Sequence, residues 1–231
     1  MTSETKWTYG KQGTAFEVAL GDVWKVGPHT FVCSDFMADP TLYLEALAEQ
    51  PPTLLYSDPP WGQALVNGFR TKAGAERATY TWQTLYEIIS GWAVERGIPL
   101  YLEGSKPDSR DGLQIPGTML PSQYTHQWGW FVTYGKKNAP SGLYYGHTTP
   151  VPPELIGTLT DVNDIDLPRL VMEAYGPSGV VADPCGGRGN TSRQAHRAGW
   201  SSVLNEMNVH RLSAALARAE EAGMGTPEKV A

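Results

Sequence analysis

Strands alternating with helical patterns predict an α/β fold, a mostly parallel sheet with helices on both faces. Three observations in the 231-residue chain carry that expectation. Apolar runs end in an acid four times, at Asp35, Asp58, Asp183 and Glu206. Segments of helical period lie between those runs. A glycine-rich loop, Gly186-Gly187-Arg188-Gly189, joins one run to a helical pattern beginning near Asn190, where the backbone has to turn tightly.

The elements follow in order. Residues 6–34 read as two β-hairpins, with turns at residues 10–13 and at Gly27-Pro28. Asp39 and Pro40 are the expected N-cap and first-turn proline of a helix that Pro51-Pro52 ends. A buried strand follows at residues 54–57. Over residues 80–96, Trp82, Leu85, Tyr86, Ile89, Trp92 and Ala93 recur at helical spacing as a packing face, and Gly97 closes the helix. Residues 99–102 form the next strand. The Gly-, Pro- and Ser-rich stretch 104–122 is a long loop, either ordering over a substrate or simply connecting. Residues 127–134 and 143–146 make an antiparallel pair of aromatic strands. Asp166 caps a helix that Gly176 ends. The strand 180–183, the helix after Asn190, the strand 203–207 and a helix over 208–222 complete the pattern.

Composition narrows the class. A hydrophobic fraction of 41% over 231 residues suits one sizeable domain. No apolar stretch approaches the roughly 20 residues of a membrane span, and the N-terminus is polar, so no membrane association and a cytoplasmic setting are expected. Cys33 and Cys185 are isolated, which argues against a disulfide framework and against a metal site. The net charge of −6 weighs against a nucleic-acid partner. Its distribution softens the objection, because residues 62–147 hold eight Lys/Arg against six Asp/Glu. Arg70, Lys72, Arg77, Lys106, Arg110, Lys136 and Lys137 are the candidate phosphate contacts there.

Two motifs carry the chemistry. Leu54-Leu55-Tyr56-Ser57-Asp58-Pro59-Pro60-Trp61 is a buried strand running into an acidic turn stiffened by two prolines and tipped by an aromatic ring. Those parts can hold a planar amine. Val180-Val181-Ala182-Asp183-Pro184-Cys185-Gly186-Gly187-Arg188-Gly189-Asn190-Thr191 is a strand, glycine loop and helix start, and Glu206 ends the next apolar run 23 residues after Asp183. That spacing suits a ribosyl cofactor, with the loop approaching the ligand and the acid taking ribose hydroxyls.

Together the motifs resemble those of the S-adenosylmethionine-dependent amino-methyltransferases that modify exocyclic amines of nucleic-acid bases. Asp58-Pro59-Pro60-Trp61 looks like that family's catalytic motif, and Asp183 to Thr191 is similar to its cofactor loop, written D-P-F-x-G-S-G-T-T. Their order is that of the circularly permuted β class. Three positions depart: Cys185 replaces an aromatic, Arg188 replaces a small residue, and Leu167 stands where a Lys usually precedes the proline. The resemblance implies a class I methyltransferase-like (Rossmann-like) sheet of seven strands, one antiparallel. It implies a single methyltransferase domain over 1–231, with hairpins at 1–34, a catalytic half at 35–103, substrate-facing loops and antiparallel strands at 104–167 and a cofactor-binding half at 168–223.

It further implies S-adenosyl-L-methionine as cofactor, with S-adenosyl-L-homocysteine as product. Asp35, Asp58, Asp183, Cys185, Gly186, Gly187, Gly189, Asn190, Thr191, Glu206 and Met207 would bind it, with Glu206 on the ribose and Asp35 on the adenine. Asp58, Pro59, Pro60 and Trp61 would hold a base flipped from its stack. An Asp before Pro-Pro favours adenine N6 over cytosine N4, and DNA is expected ahead of RNA. A homodimer is common among such enzymes. Restriction-modification, phage and regulatory enzymes would share these motifs. Two alternatives stay open: methylation of a small-molecule amine, and a non-catalytic scaffold that keeps only the fold.

Overall fold

The computed structural model describes residues 15–104, 123–135 and 139–231. The chain runs β1 (Val23–Val26), β2 (His29–Val32), α1 (Thr41–Glu49), β3 (Leu54–Ser57), α2 (Gln63–Lys72), α3 (Trp82–Arg96) and β4 (Leu100–Gly104). It continues through β5 (His126–Tyr134), β6 (Ala139–His147), α4 (Pro153–Ile156), α5 (Leu167–Tyr175) and β7 (Val180–Asp183). Then come α6 (Asn190–Arg197), β8 (Ser201–Asn205), α7 (Val209–Glu221) and β9 (Glu228–Lys229).

Among the described residues nine strands form one sheet in the order β5-β6-β4-β3-β7-β8-β2-β1-β9. The inner five, β4, β3, β7, β8 and β2, are parallel, whereas β6, β5, β1 and β9 each pair antiparallel with a neighbour. The expectation of seven strands with one antiparallel is therefore corrected. Hairpins extend both ends of the parallel core, β5–β6 beyond β4 and β1 beyond β2, and β9 is added at the far edge.

Alternation along the strands sends successive side chains to opposite faces. Leu55, Leu100, Leu102, Ala182 and Val203 face α1, α2 and α3, where Tyr43, Leu47, Val66, Leu85, Tyr86, Ile89 and Trp92 cover them. Leu54, Tyr56, Tyr101 and Val181 point the other way, against α4, α5 and α6 through Leu155, Leu167, Val171 and Ala195. Phe31 and Leu204 pack on α7 through Leu212, Ala215 and Leu216. β2, β3 and β4 are buried along their whole length, as sheathed parallel strands must be. The aromatic stripe on α3 is core packing.

Local details follow the residue types. Thr81 caps α3 by accepting the Thr84 N–H at 3.2 Å, and Gly97 ends it in the left-handed conformation. At α1 the cap is displaced by one: Pro40 occupies the N-cap, and the Asp39 carboxylate accepts the Thr41 N–H at 2.9 Å. The turn expected at residues 10–13 lies outside the described residues, as does nearly all of the 104–122 loop. The hairpin at Gly27-Pro28 is β1–β2.

Candidate active site

Five parallel strands end at one edge of the sheet, and each delivers an acid there: Glu103 from β4, Asp58 just past β3, Asp183 at the end of β7, Glu206 just past β8, and Asp35 beyond β2. Between β3 and β7 the strand order reverses, since β3 is flanked by β4 on one side and β7 by β8 on the other. Open α/β sheets bind ligands in the crevice at such a point. All five acids line one cavity of about 1150 Å³. Pro59, Pro60, Trp61, Cys185, Gly186, Gly187, Arg188, Asn190, Thr191 and Met207 also line it.

The acidic turn is pre-set. Trp61 Nε1 donates to Asp58 Oδ1 at 2.8 Å, and the Trp61 ring meets Tyr134 edge-on at 4.8 Å between centroids. Burial pushes the Asp58 carboxyl well above the usual carboxylate range; the Trp61 N–H opposes that, and the Asp183 and Asp164 charges add to it.

The glycine loop is locked to its neighbours. Asp183 is 2% exposed, and its Oδ1 accepts the Ser57 hydroxyl at 2.9 Å and the Cys185 N–H at 3.1 Å, tying the end of β7 to the end of β3. Burial raises it to about 6 against those hydrogen bonds and one from Thr191. A Cβ on Gly186 would overlap the Leu204 side chain, so any other residue forces that side chain to shift. Gly189 precedes α6 at φ +76°, which favours glycine, and brings the loop to within van der Waals reach of α7. Asn205 braces the same edge: its Nδ2 donates to the Ser34 and Pro184 carbonyls at 3.1 and 3.3 Å, and its Oδ1 accepts the Ser34 hydroxyl at 2.6 Å.

Glu206 accepts the Asn208 N–H on Oε1 at 2.8 Å, the Gly187 N–H also acts on its carboxylate, and Oε2 lies 3.8 Å from Arg211. Burial raises it to about 7, with Arg211 pulling the other way. Arg211 lies over the Phe69 ring at 4.4 Å. Asp35 holds Arg70 at 2.7 Å, and Arg70 also donates to the Tyr80 hydroxyl at 3.3 Å. Arg70, a sequence candidate for phosphate, thus stands in the cavity wall with its charge already matched. Lys72 is exposed and does not line the cavity. Lys106, Arg110, Lys136 and Lys137 lie outside the described residues. Among the described residues no group of three or more His, Cys, Asp or Glu could hold a metal ion, and no helix is long and apolar enough to cross a membrane.

No protein-family model and no curated protein matches the chain. Solved structures do. One is TTHA0409, a Thermus thermophilus protein named as a DNA modification methylase, in complex with S-adenosyl-L-methionine. It matches at TM-score 0.50 and 16% identity, over 78% of this chain and 91% of that one. M1.HpyAVI matches at TM-score 0.51 and 11% identity, over 81% and 96%. The fold is shared with both. At such identities the likeness speaks to architecture alone.

Leu167 is fully buried in the core under β3 and β4, so this chain has no charge at that position to offer a ligand. Burial lifts the Cys185 thiol well above its ordinary range, which makes it a wall of the cavity and a poor nucleophile. Phe69, Glu103, Tyr134, Asp164 and Arg211 are among the lining residues that sequence reasoning missed. Glu103 carried the same signal as the other acids, an apolar run ending in a carboxylate.

Proposed function

We propose that this protein transfers a methyl group from S-adenosyl-L-methionine to the exocyclic amine of a nucleic-acid base, with adenine N6 in DNA as the leading substrate. The observation that supports it is the single cavity of about 1150 Å³ shared by the acidic turn and the glycine loop. That volume exceeds what a drug-sized ligand needs, leaving space for a cofactor and a flat base.

The residues present suit the cofactor. Glu206 stands at the cavity wall with the Gly187 N–H and Arg211 beside its carboxylate, placed to take ribose hydroxyls, and Gly187 leaves the loop open, since a Cβ there would meet nothing closer than 3.8 Å. Asp35 would take the adenine amine. Asp183, Gly186, Gly189, Asn190 and Thr191 shape the other end, with Cys185 and Met207 as walls. When bound, the cofactor supplies an electrophilic methyl carbon on a sulfonium.

The chain's own residues do the positioning. An aryl amine is a poor nucleophile because its lone pair is spread into the ring. Asp58 and the Pro59 carbonyl would accept its two N–H bonds and turn the nitrogen for attack. As positive charge develops on that nitrogen, the fixed Asp58 carboxylate stabilises it. Trp61 and Tyr134 offer aromatic surface to a flipped base.

A second reading, methylation of a small-molecule amine, is favoured by the net charge of −6. Incubation with labelled cofactor and defined DNA and RNA pools, followed by mass analysis of the nucleosides, separates the two. N6-methyladenine in DNA supports the proposal, whereas label confined to a small molecule contradicts it. Binding should also weaken steeply with salt if phosphates are held, and barely change for a small neutral substrate.

A further inference from the structure

Glu103 has no part in the chemistry above. In the parallel register of β3 and β4, Ser57 pairs with Leu102, so Asp58 and Glu103 stand side by side at neighbouring strand ends. Glu103 is 3% exposed and still lines the cavity. Its Oε1 accepts the Tyr56 hydroxyl at 2.7 Å, and Tyr86 donates to its backbone carbonyl at 3.3 Å. The side chain is thus held by β3 and its backbone by α3. Oε2 is buried and has no hydrogen-bond partner among the described residues. Buried polar atoms are rarely left so, and one that is calls for an explanation such as a catalytic role or a bound partner.

Burial, and next the Asp58 charge, push the Glu103 carboxyl well above the usual range; Asp164 and Asp183 act in the same direction, and the Tyr56 hydroxyl opposes them. A carboxyl that keeps its proton in an apolar site can donate a hydrogen bond.

We infer that Glu103 reads the substrate base, donating from Oε2 to the ring nitrogen beside the target amine while Asp58 accepts the amine N–H. The inference rests on the methyl-transfer reading and deepens it. In adenine the N6 amine is flanked by N1, and in cytosine the N4 amine by N3; both ring atoms are acceptors. One carboxylate and one protonated carboxyl side by side match that donor–acceptor edge. Asp58 alone would let the base pivot about its amine. The second contact fixes the base plane and with it the direction of the nitrogen lone pair.

The test uses the whole chain and oligonucleotides carrying adenine or 1-deazaadenine at the target, with cytosine and 3-deazacytosine as the parallel pair. The deaza base keeps the amine and is the better intrinsic nucleophile, but carries a C–H in place of the acceptor nitrogen that Glu103 would contact. The wild type should prefer the natural base by roughly 10- to 100-fold in kcat/KM. Glu103→Gln, whose amide still donates, should keep that preference, and Glu103→Leu should bring the ratio close to one. Each ratio is taken within one variant, so it is insensitive to the fraction of active protein. If Glu103→Leu is inactive on both bases, the wild-type and Glu103→Gln ratios decide. Equal use of the deaza base by the wild type, a preference that survives in Glu103→Leu, or one lost in Glu103→Gln overturns the inference. Absence of methyl transfer to any natural base overturns the methyl-transfer reading itself, and this one with it.

Discussion

Trp61 does two things to Asp58: its N–H fixes the carboxylate, and the same hydrogen bond restrains a pKa that burial raises. A charge-assisted bond of this kind is worth about 1.5–3 kcal/mol. Substitution Trp61→Phe keeps an aromatic face and removes the donor, so the Asp58 pKa should climb further. Because the ionised carboxylate is the working form, activity falls as pH drops through that pKa. The acid limb of the rate profile should therefore lie well above pH 4 in the wild type and move higher in Trp61→Phe. An unmoved limb would show that another group governs it. At this scale the acids were legible because each ends an apolar run. Glu103 obeyed the same rule, but the run before it reads simply as a buried strand without a glycine or proline motif to mark it. Tyr134, Asp164, Phe69 and Arg211 come from a hairpin end, a loop and helices, and only the folded chain assembles them.

Among the elements, the loop between β7 and α6 has the least tolerance. Gly186→Ala places a methyl into the Leu204 side chain, and overpacking of this sort costs about 1–3 kcal/mol. Denaturant titration should register that loss, together with a weakened affinity for S-adenosyl-L-methionine by calorimetry. Unchanged midpoint and affinity would mean that the loop and β8 are less tightly apposed than described. The inner strands were readable as short continuous apolar runs, and α3, α5 and α7 because apolar residues repeat at a period of 3.6. Helix α2 was not, since Val66 is its one buried residue and its polar face dominates. The four-residue α4 is too short to show a period. Strand count also escaped prediction, because edge strands are added by pairing geometry and β9 has only two residues.

For the whole molecule, the crowded acids trade stability for a binding site. Glu206 is raised to about 7, and Asp58 and Glu103 are raised with it. Carboxyls of the unfolded chain titrate near 4, so the folded state holds extra protons, and their stabilisation is lost as pH climbs through the folded values. Buried His29, lowered to about 4, works in the opposite sense, but only between about 6.5 and 4. From pH 6.5 to 8 the melting temperature of the cofactor-free protein should fall, and Glu206→Gln should flatten the slope. A rising melting temperature over that interval would contradict the burial of these groups. The alternation of strands and helices predicted the layers, whereas the strand order that sets β3 beside β7 is a tertiary outcome.

The role of the acidic turn is tested most directly by measuring turnover and cofactor affinity together in Asp58→Ala. The expected result is methylated base from the wild type, none from the variant, and calorimetric affinities for S-adenosyl-L-methionine within a few-fold of each other. Turnover retained by Asp58→Ala, or cofactor binding lost along with it, would contradict a cavity in which the turn holds the amine and the glycine loop holds the methyl donor.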